Sequence, residues 1–252
     1  MYILILTFLL FSHNLINEPL RFLGLISNND IEVKTNDLPD SIKENIFKSE
    51  DKKLVFEDYL QKVNDNEKNL LILVNKSNSL NDKFIPDDLT NITKLFPTNK
   101  SDIYLRQIIL EDLTYMITDA KKDKSYLSIV SAYRSYKTQS IVYNGWKAKY
   151  GENEANRISA KPGHSQHQLG TAIDFNSLEE SFESTKEGKW LLENSWKYGF
   201  ILSYPKGQEN ITGYKYEPWH YRYVGKNTAY IIYQYFNNSM EVFLNWYWKN
   251  YQ

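Results

Sequence analysis

Ser165-Gln-His167-Gln-Leu-Gly170-Thr-Ala172-Ile-Asp174, followed downstream by Glu217-Pro-Trp-His220, is the pattern on which the reading of this chain turns. The two segments supply two imidazoles and a carboxylate, His167, Asp174 and His220, a donor set suited to one zinc ion. They also supply a second carboxylate, Glu217, that could manage the proton of an attacking water. Three protein ligands leave a coordination position open. That opening separates a catalytic zinc site from a structural one, whose fourth corner is closed by another Cys or His. His167 and Asp174 lie seven residues apart with Gly170 between them. A loop can therefore turn back into a strand and aim both side chains at one point. Pro218 fixes the approach to His220 and keeps Glu217 off a regular strand ladder, beside the metal rather than on it.

Working outward, Thr171–Phe175 and His220–Val224 read as short strands carrying Asp174 and His220, with Phe200–Ser203 and Tyr126–Ser131 as further strands. Trp190–Tyr198 reads as a helix stopped by Gly199, and Tyr230–Phe236 and Met240–Trp248 as closing helices. Upstream, apolar residues from Ile103 to Ala120 recur at helical spacing, which predicts a core helix over 101–121 capped by Ser101. Leu70-Leu-Ile-Leu-Val74 reads as a strand. Helices and strands do not alternate regularly. The expected class is therefore α+β, a small antiparallel sheet carrying the zinc site and flanked by helices.

The chain has 252 residues, 42% of them hydrophobic, enough for one large domain plus a terminal extension. A net charge of -1 provides no general attraction to nucleic acid or to an anionic membrane surface. With no cysteine there is no disulfide, thiol nucleophile or lipoprotein anchor. Ile3–Phe11 is an apolar run of signal-peptide length, although no Lys or Arg precedes it. Leu20–Ile26 could extend it into an uncleaved anchor. Residues 1–26 are thus expected to be a signal peptide or membrane anchor. Residues 27–69, rich in Asn, Asp, Glu and Lys, are expected to form a polar spacer with one helix around Val55–Val63. Residues 70–252 are expected to form the catalytic domain.

Taken alone, each candidate has a plainer reading. A single histidine is more often a satisfied core or surface residue than a ligand. Glu217 reads equally as a surface carboxylate at a turn, and Arg134 as a surface or ion-paired arginine. Tyr133, Tyr136, Trp219, Tyr221 and Tyr223 could pack the core or wall a cleft.

The residues together resemble the VanY-like D-alanyl-D-alanine carboxypeptidases, zinc peptidases of the bacterial cell wall related to the lysostaphin and hedgehog metal-binding folds. The resemblance begins at Leu73-Val-Asn-Lys-Ser-Asn-Ser-Leu80 and Pro86-Asp-Asp-Leu89, and continues through Ser131-Ala-Tyr-Arg-Ser-Tyr-Lys-Thr-Gln139 and Pro162-Gly-His-Ser-Gln-His167. It ends in Tyr198-Gly-Phe200 and Thr212-Gly-Tyr-Lys-Tyr-Glu-Pro-Trp-His-Tyr-Arg-Tyr-Val-Gly225. It implies that His167, Asp174 and His220 hold one zinc ion, that Glu217 is the catalytic base, and that Arg134 faces the substrate carbonyl oxygen. Gln139 and Ser165 match positions expected near the substrate's terminal carboxylate. His164 is expected to be a loop residue. The chain departs from the family at Gln166, where glutamate is common, and at Ser203, where arginine is common.

The implied substrate is a peptidoglycan stem peptide that loses its terminal D-alanine, with export to the cell envelope and a monomeric enzyme as the accompanying expectations. An L,D-carboxypeptidase acting on tetrapeptide stems would use the same site. A zinc-stabilised cell-wall binding module without catalysis would not need both Glu217 and Arg134. A non-haem iron oxygenase also uses two histidines and a carboxylate but has no need of Glu217.

Overall fold

The computed structural model describes residues 31–252. The α-helices in chain order are α1 (Asp40–Ile46), α2 (Glu50–Lys62), α3 (Leu110–Lys122), α4 (Tyr136–Ile158), α5 (Lys186–Asn194), α6 (Glu209–Thr212), α7 (Lys226–Tyr235) and α8 (Met240–Tyr251). Strands β1 (Leu89–Asn91) and β2 (Tyr104–Arg106) form a two-stranded antiparallel ribbon. Strands β3 (Ile129–Ser131), β4 (Ala172–Phe175), β5 (Phe200–Leu202) and β6 (His220–Tyr223) form an antiparallel sheet in the order β3-β4-β6-β5. The expected α+β class and small antiparallel sheet are what the chain adopts.

The period of two along a strand explains how the sheet serves core and site at once. Ile173 and Phe175 of β4, Tyr221 and Tyr223 of β6, and Phe200 and Leu202 of β5 join one buried cluster with Leu113 and Met116 of α3 and Trp190 and Leu191 of α5. Each such side chain contributes about 1.5–3 kcal/mol by leaving water. The alternate residues Asp174, His220 and Arg222 face the other way and are also buried. Both central strands are therefore buried on two faces, which holds the polar ones rigidly.

Residues 27–69, expected as a polar spacer, behave differently over the part described. Val33, Ile42, Ile46, Phe56, Leu60 and Val63 form a buried cluster with Ile232, Phe236, Phe243, Trp246 and other residues of the C-terminal helices. Ser49 caps α2 by accepting from the Lys52 amide. Phe56 and Leu60, four residues apart on one helix face, point into this cluster while Lys and Glu predominate elsewhere, so the average composition is polar although that face is not. Glu67, in the π turn after α2, is buried. It accepts from the amides of Asn227 and Thr228 and from both their side chains, capping α7.

Two further expectations are corrected. The first part of the helix expected over 101–121 is instead β2, and α3 begins only at Leu110. Asp102 adopts a left-handed φ of 60°, which breaks the helix, and Leu105 gains a ladder partner in Thr90. Leu70–Val74 joins no ladder. Its carbonyls at Leu70 and Ile72 accept instead from the buried Arg222 guanidinium, at 2.9 and 2.8 Å. The strands expected over Thr171–Phe175, Phe200–Ser203 and His220–Val224 are present as Ala172–Phe175, Phe200–Leu202 and His220–Tyr223. The apolar run at Ile3–Phe11 lies outside the described residues. Among those described, no helix is long and apolar enough to cross a membrane.

Candidate active site

Asp174 and His220 are directly opposed on neighbouring strands β4 and β6, so their side chains leave the sheet on the same face. His167 comes to them from a 3₁₀ turn, Gln166–Leu169, capped by Ser165 and ended by Gly170 at φ 71°. A Cβ on Gly170 would lie 3.0 Å from both Arg106 Cγ and Leu89 Cδ2, so the turn needs glycine both for its backbone and for its space. The three residues are buried, and one candidate donor atom from each lies within 4.8 Å of the others.

The hydrogen-bond network shows which donor atoms are free. His167 Nδ1 lies 2.7 Å from the Ala132 carbonyl, and His220 Nε2 lies 3.2 Å from Gln166 Oε1. Both partners are acceptors, so each imidazole spends its one N–H there. The opposite nitrogens then carry lone pairs and face the Asp174 carboxylate, His167 Nε2 at 3.2 Å and His220 Nδ1 at 3.0 Å. Asp174 Oδ1 has no hydrogen-bond donor. Lone pairs crowded together in a buried place with no proton between them fit a divalent cation. Burial pushes the His167 imidazole down to about 4, against the pull of Asp174, which keeps the ring neutral at pH 7. Burial opposes the Asp174 charge too; protons on the two imidazoles would hold its carboxyl well below the usual range, and with both rings neutral a bound cation would take that part. Ionised carboxylate and neutral imidazoles are the forms that bind zinc.

Glu217 stands beside this group and outside it. Its Oε2 is 3.6 Å from His220 Nδ1, and its side chain is 16% exposed. Burial raises its carboxyl to about 7, a shift that His220 reduces and Asp174 reinforces. The turn that places it is fixed by its amide donating to the Tyr204 carbonyl and its carbonyl accepting from the His220 amide. Arg134 lies across the site, its amide donating to the His167 carbonyl at 3.1 Å. Its guanidinium donates to Gln139 Oε1 and Ser131 Oγ, both at 2.9 Å, and Nη2 is 4.0 Å from Asp174 Oδ2.

A cleft of about 480 Å³ opens over these groups, a size suited to a short peptide. The seven residues expected from sequence, His167, Asp174, His220, Glu217, Arg134, Gln139 and Ser165, all line it. Gln139 spends both ends of its amide within the protein. Beyond Arg134, it donates to the Ala160 carbonyl at 2.6 Å and to Ser159 Oγ at 3.3 Å. His164 is a loop residue whose Nδ1 meets the Asn75 carbonyl. Of the aromatics, Trp219 lines the cleft, whereas Tyr221 and Tyr223 belong to the core. Sequence reasoning missed the walls supplied by Trp146 of α4 and by Tyr204 and Tyr214. The helix itself went unread, although Ser135 and Thr138 mark its cap. Gln166 and Ser203, where the resemblance led to the expectation of glutamate and arginine, are hydrogen-bonded to each other at 2.7 Å.

Comparison with known proteins bears on this geometry. A family model described as "VanY: D-alanyl-D-alanine carboxypeptidase" matches residues 102–226. The D-alanyl-D-alanine carboxypeptidase of Enterococcus faecium is 32% identical over 235 residues, covering 89% of this chain and 71% of that protein. This chain belongs to the VanY family. YodJ of Bacillus subtilis is 42% identical to this VanY-family chain over 175 residues, 66% of the chain; the match spans 64% of the length of YodJ. Among solved structures, the LdcB LD-carboxypeptidase superposes with a TM-score of 0.65 at 38% identity, covering 71% of this chain and 87% of that one. A mutant of a VanY D,D-pentapeptidase in complex with Zn(II) superposes with a TM-score of 0.60 at 32% identity, covering 70% and 99%. That structure holds Zn(II), and in this chain His167, Asp174 and His220 have the chemistry to hold one such ion.

Proposed function

We propose that this protein is a zinc-dependent D-alanyl-D-alanine carboxypeptidase that hydrolyses the terminal D-alanine from peptidoglycan stem peptides. The reading rests on one observation above the rest. A carboxyl raised to about 7 lies on the cleft wall 3.6 Å from a metal-facing nitrogen, yet outside the set of donors that could hold the metal. Such a group is poised to take a proton near neutral pH and to return it. A zinc ion held by His167, Asp174 and His220 would polarise the scissile carbonyl and acidify a water for attack.

The chain's own residues supply the rest. Glu217 accepts the proton of the attacking water and passes it to the departing amine, so one carboxylate serves as base and then acid. Arg134 presents a fixed guanidinium to the oxygen on which charge develops, and Ser131 and Gln139 hold that fork. The Ser165 hydroxyl, which accepts from the His167 amide, keeps its own proton for the substrate's terminal carboxylate. Trp146, Tyr204, Tyr214 and Trp219 wall the cleft against bulk water. A stem-peptide substrate implies work outside the cytoplasmic membrane. Export or anchoring through residues 1–26, and action as a monomer, belong to the same proposal.

The likeness to LdcB favours a second reading, an L,D-carboxypeptidase that removes the D-alanine following a diamino acid. Glu179 and Glu180 on the cleft wall suit the cationic side chain such a substrate places there. Synthetic pentapeptide and tetrapeptide stems, incubated with the zinc-loaded protein and then with chelator, separate the two by released D-alanine. We expect chelator-sensitive release from the pentapeptide; release from the tetrapeptide alone selects the second reading. No release from either refutes both.

A further inference from the structure

Gln166 precedes a metal-facing histidine in sequence, but its side chain serves the other one. Its Oε1 accepts from His220 Nε2 at 3.2 Å and from Ser203 Oγ at 2.7 Å. Gln166 and Ser203 are 2% and 1% exposed, so water does not compete for these bonds. Backbone contacts hold the cradle in place. The Ser203 amide donates to the His220 carbonyl at 3.1 Å, and Gln166 belongs to the capped turn that also carries His167. The Tyr204 ring lies against the imidazole, with centroids 4.9 Å apart. The His220 ring is thus gripped at its far end and on one face.

A neutral imidazole has a single proton, and the group at one nitrogen decides where it resides. A carbonyl oxygen at Nε2 draws the proton there and leaves Nδ1 bare toward Asp174. A side-chain amide has a second end, however. Were the Gln166 NH₂ turned inward, it would donate to Nε2 and drive the proton to Nδ1, between His220 and Asp174, where it would bond the carboxylate and occupy the place of a cation. The Ser203 hydroxyl, by donating to Oε1, holds the oxygen end inward.

We propose that Gln166 and Ser203 are a positioning pair that selects the Nε2-protonated tautomer of His220 and so makes its Nδ1 a metal donor. This rests on the zinc reading of the site. The test uses the full chain and its Gln166→Ala, Gln166→Glu and Ser203→Ala variants. Zinc affinity is measured by competition with a chromophoric chelator, the His220 tautomer by ¹⁵N NMR of the metal-free protein, and folding by thermal melting.

Loss of an outer hydrogen-bond partner of a metal-binding histidine costs about 10–100-fold in metal affinity, and that is the loss expected for Gln166→Ala. Ser203→Ala should lose affinity to a lesser degree. Gln166→Glu, with only acceptors to offer, should bind zinc at least as tightly as the native chain. A merely structural role would lower the melting temperature without this rescue. The proposal is overturned by native-like zinc affinity in Gln166→Ala, by a Gln166→Glu protein as weak as Gln166→Ala, or by Nδ1 protonation of His220 in the native metal-free protein. A native chain that binds no zinc sinks the metal reading itself, and this proposal with it.

Discussion

Replacing Arg134 by Met and by Lys separates the two things this residue does. Its guanidinium bonds Gln139 and Ser131 at 2.9 Å each, which locks the plane of the fork and leaves its remaining N–H groups toward the cleft. Loss of one preorganised donor to a developing oxyanion costs about 2.7–4 kcal/mol, or about 10²–10³ in kcat. Arg134→Met should fall by that factor. Its effect on zinc should have the opposite sign. Nη2 is 4.0 Å from Asp174 Oδ2. Unit charges so placed interact by about 4 kcal/mol at an effective dielectric constant near 20. The arginine therefore competes with a cation for Asp174, and its removal should leave zinc affinity unchanged or tighter. Lys keeps the charge but cannot make both anchoring bonds in a fixed plane, so its kcat should lie between Met and native. D-alanine release and chelator competition, measured on the same preparations, read the two effects. An Arg134→Met enzyme within threefold of native kcat, or one whose lost activity returns with excess zinc, would refute the oxyanion role.

Further expectations concern the base, a buried cap and the N-terminal helices. Glu217→Gln should lose about 10²–10⁴ in kcat while binding zinc, since Glu217 lies outside the metal-facing donors. Because the native carboxyl must be ionised to act, activity should rise with pH through an acid limb at or below about 7, a bound cation drawing the limb downward. In the metal-free protein the same raised carboxyl works against stability. Between about pH 4.5 and 7 this opposes the gain that the depressed His167 imidazole gives as pH climbs from about 4 to 6.5, so Glu217→Gln should make urea-unfolding free energy rise more steeply with pH than in the native chain. Gly225→Ala would set a Cβ 2.3 Å from Glu67 Cδ at a φ of 90°, dislodging the carboxylate that caps α7. A loss of at least about 2 kcal/mol in urea unfolding is expected, and a change within the scatter of the assay would rule out the cap. Phe56→Ala, in a fully buried ring that packs on Tyr235, Phe236 and Trp246, should cost about 3–5 kcal/mol. A solvated spacer would tolerate it.

What could be read in advance depended on whether the relevant physics lay within one short segment. Asp174 and His220 were legible because each sits on a strand whose alternate residues are apolar, and Gly170 because only a left-handed turn explains it there. Of residues 31–69, the helix expected around Val55–Val63 is present as Glu50–Lys62, but α1 and the burial of both helices were not legible. Leu54-Val55-Phe56 and Tyr59-Leu60 are short apolar stretches among charges, and only the facing Phe236 and Trp246 make Phe56 and Leu60 a core. Leu70–Val74 has the pattern of a strand, yet its carbonyls are claimed by Arg222, about 150 residues away. Nor does local pattern announce α4, whose inward residues Gln139, Tyr143 and Ala155 are few and partly polar.

The same distinction separates the metal donors from what orients them. The donors are recognisable by residue type, because few side chains can hold zinc and these occur in compact motifs. The groups that decide which nitrogen is bare are an alanine carbonyl, a glutamine and a serine, types that signal nothing alone. Ser203 reaches Gln166 across 37 positions and Gln166 reaches His220 across 54. Only the sheet, by setting the end of β5 beside the start of β6, brings them together. A histidine in a motif is thus a candidate donor. It becomes an oriented one through hydrogen bonds that the fold must supply, so Gln166 and Ser203 are better judged as one unit than as separate positions.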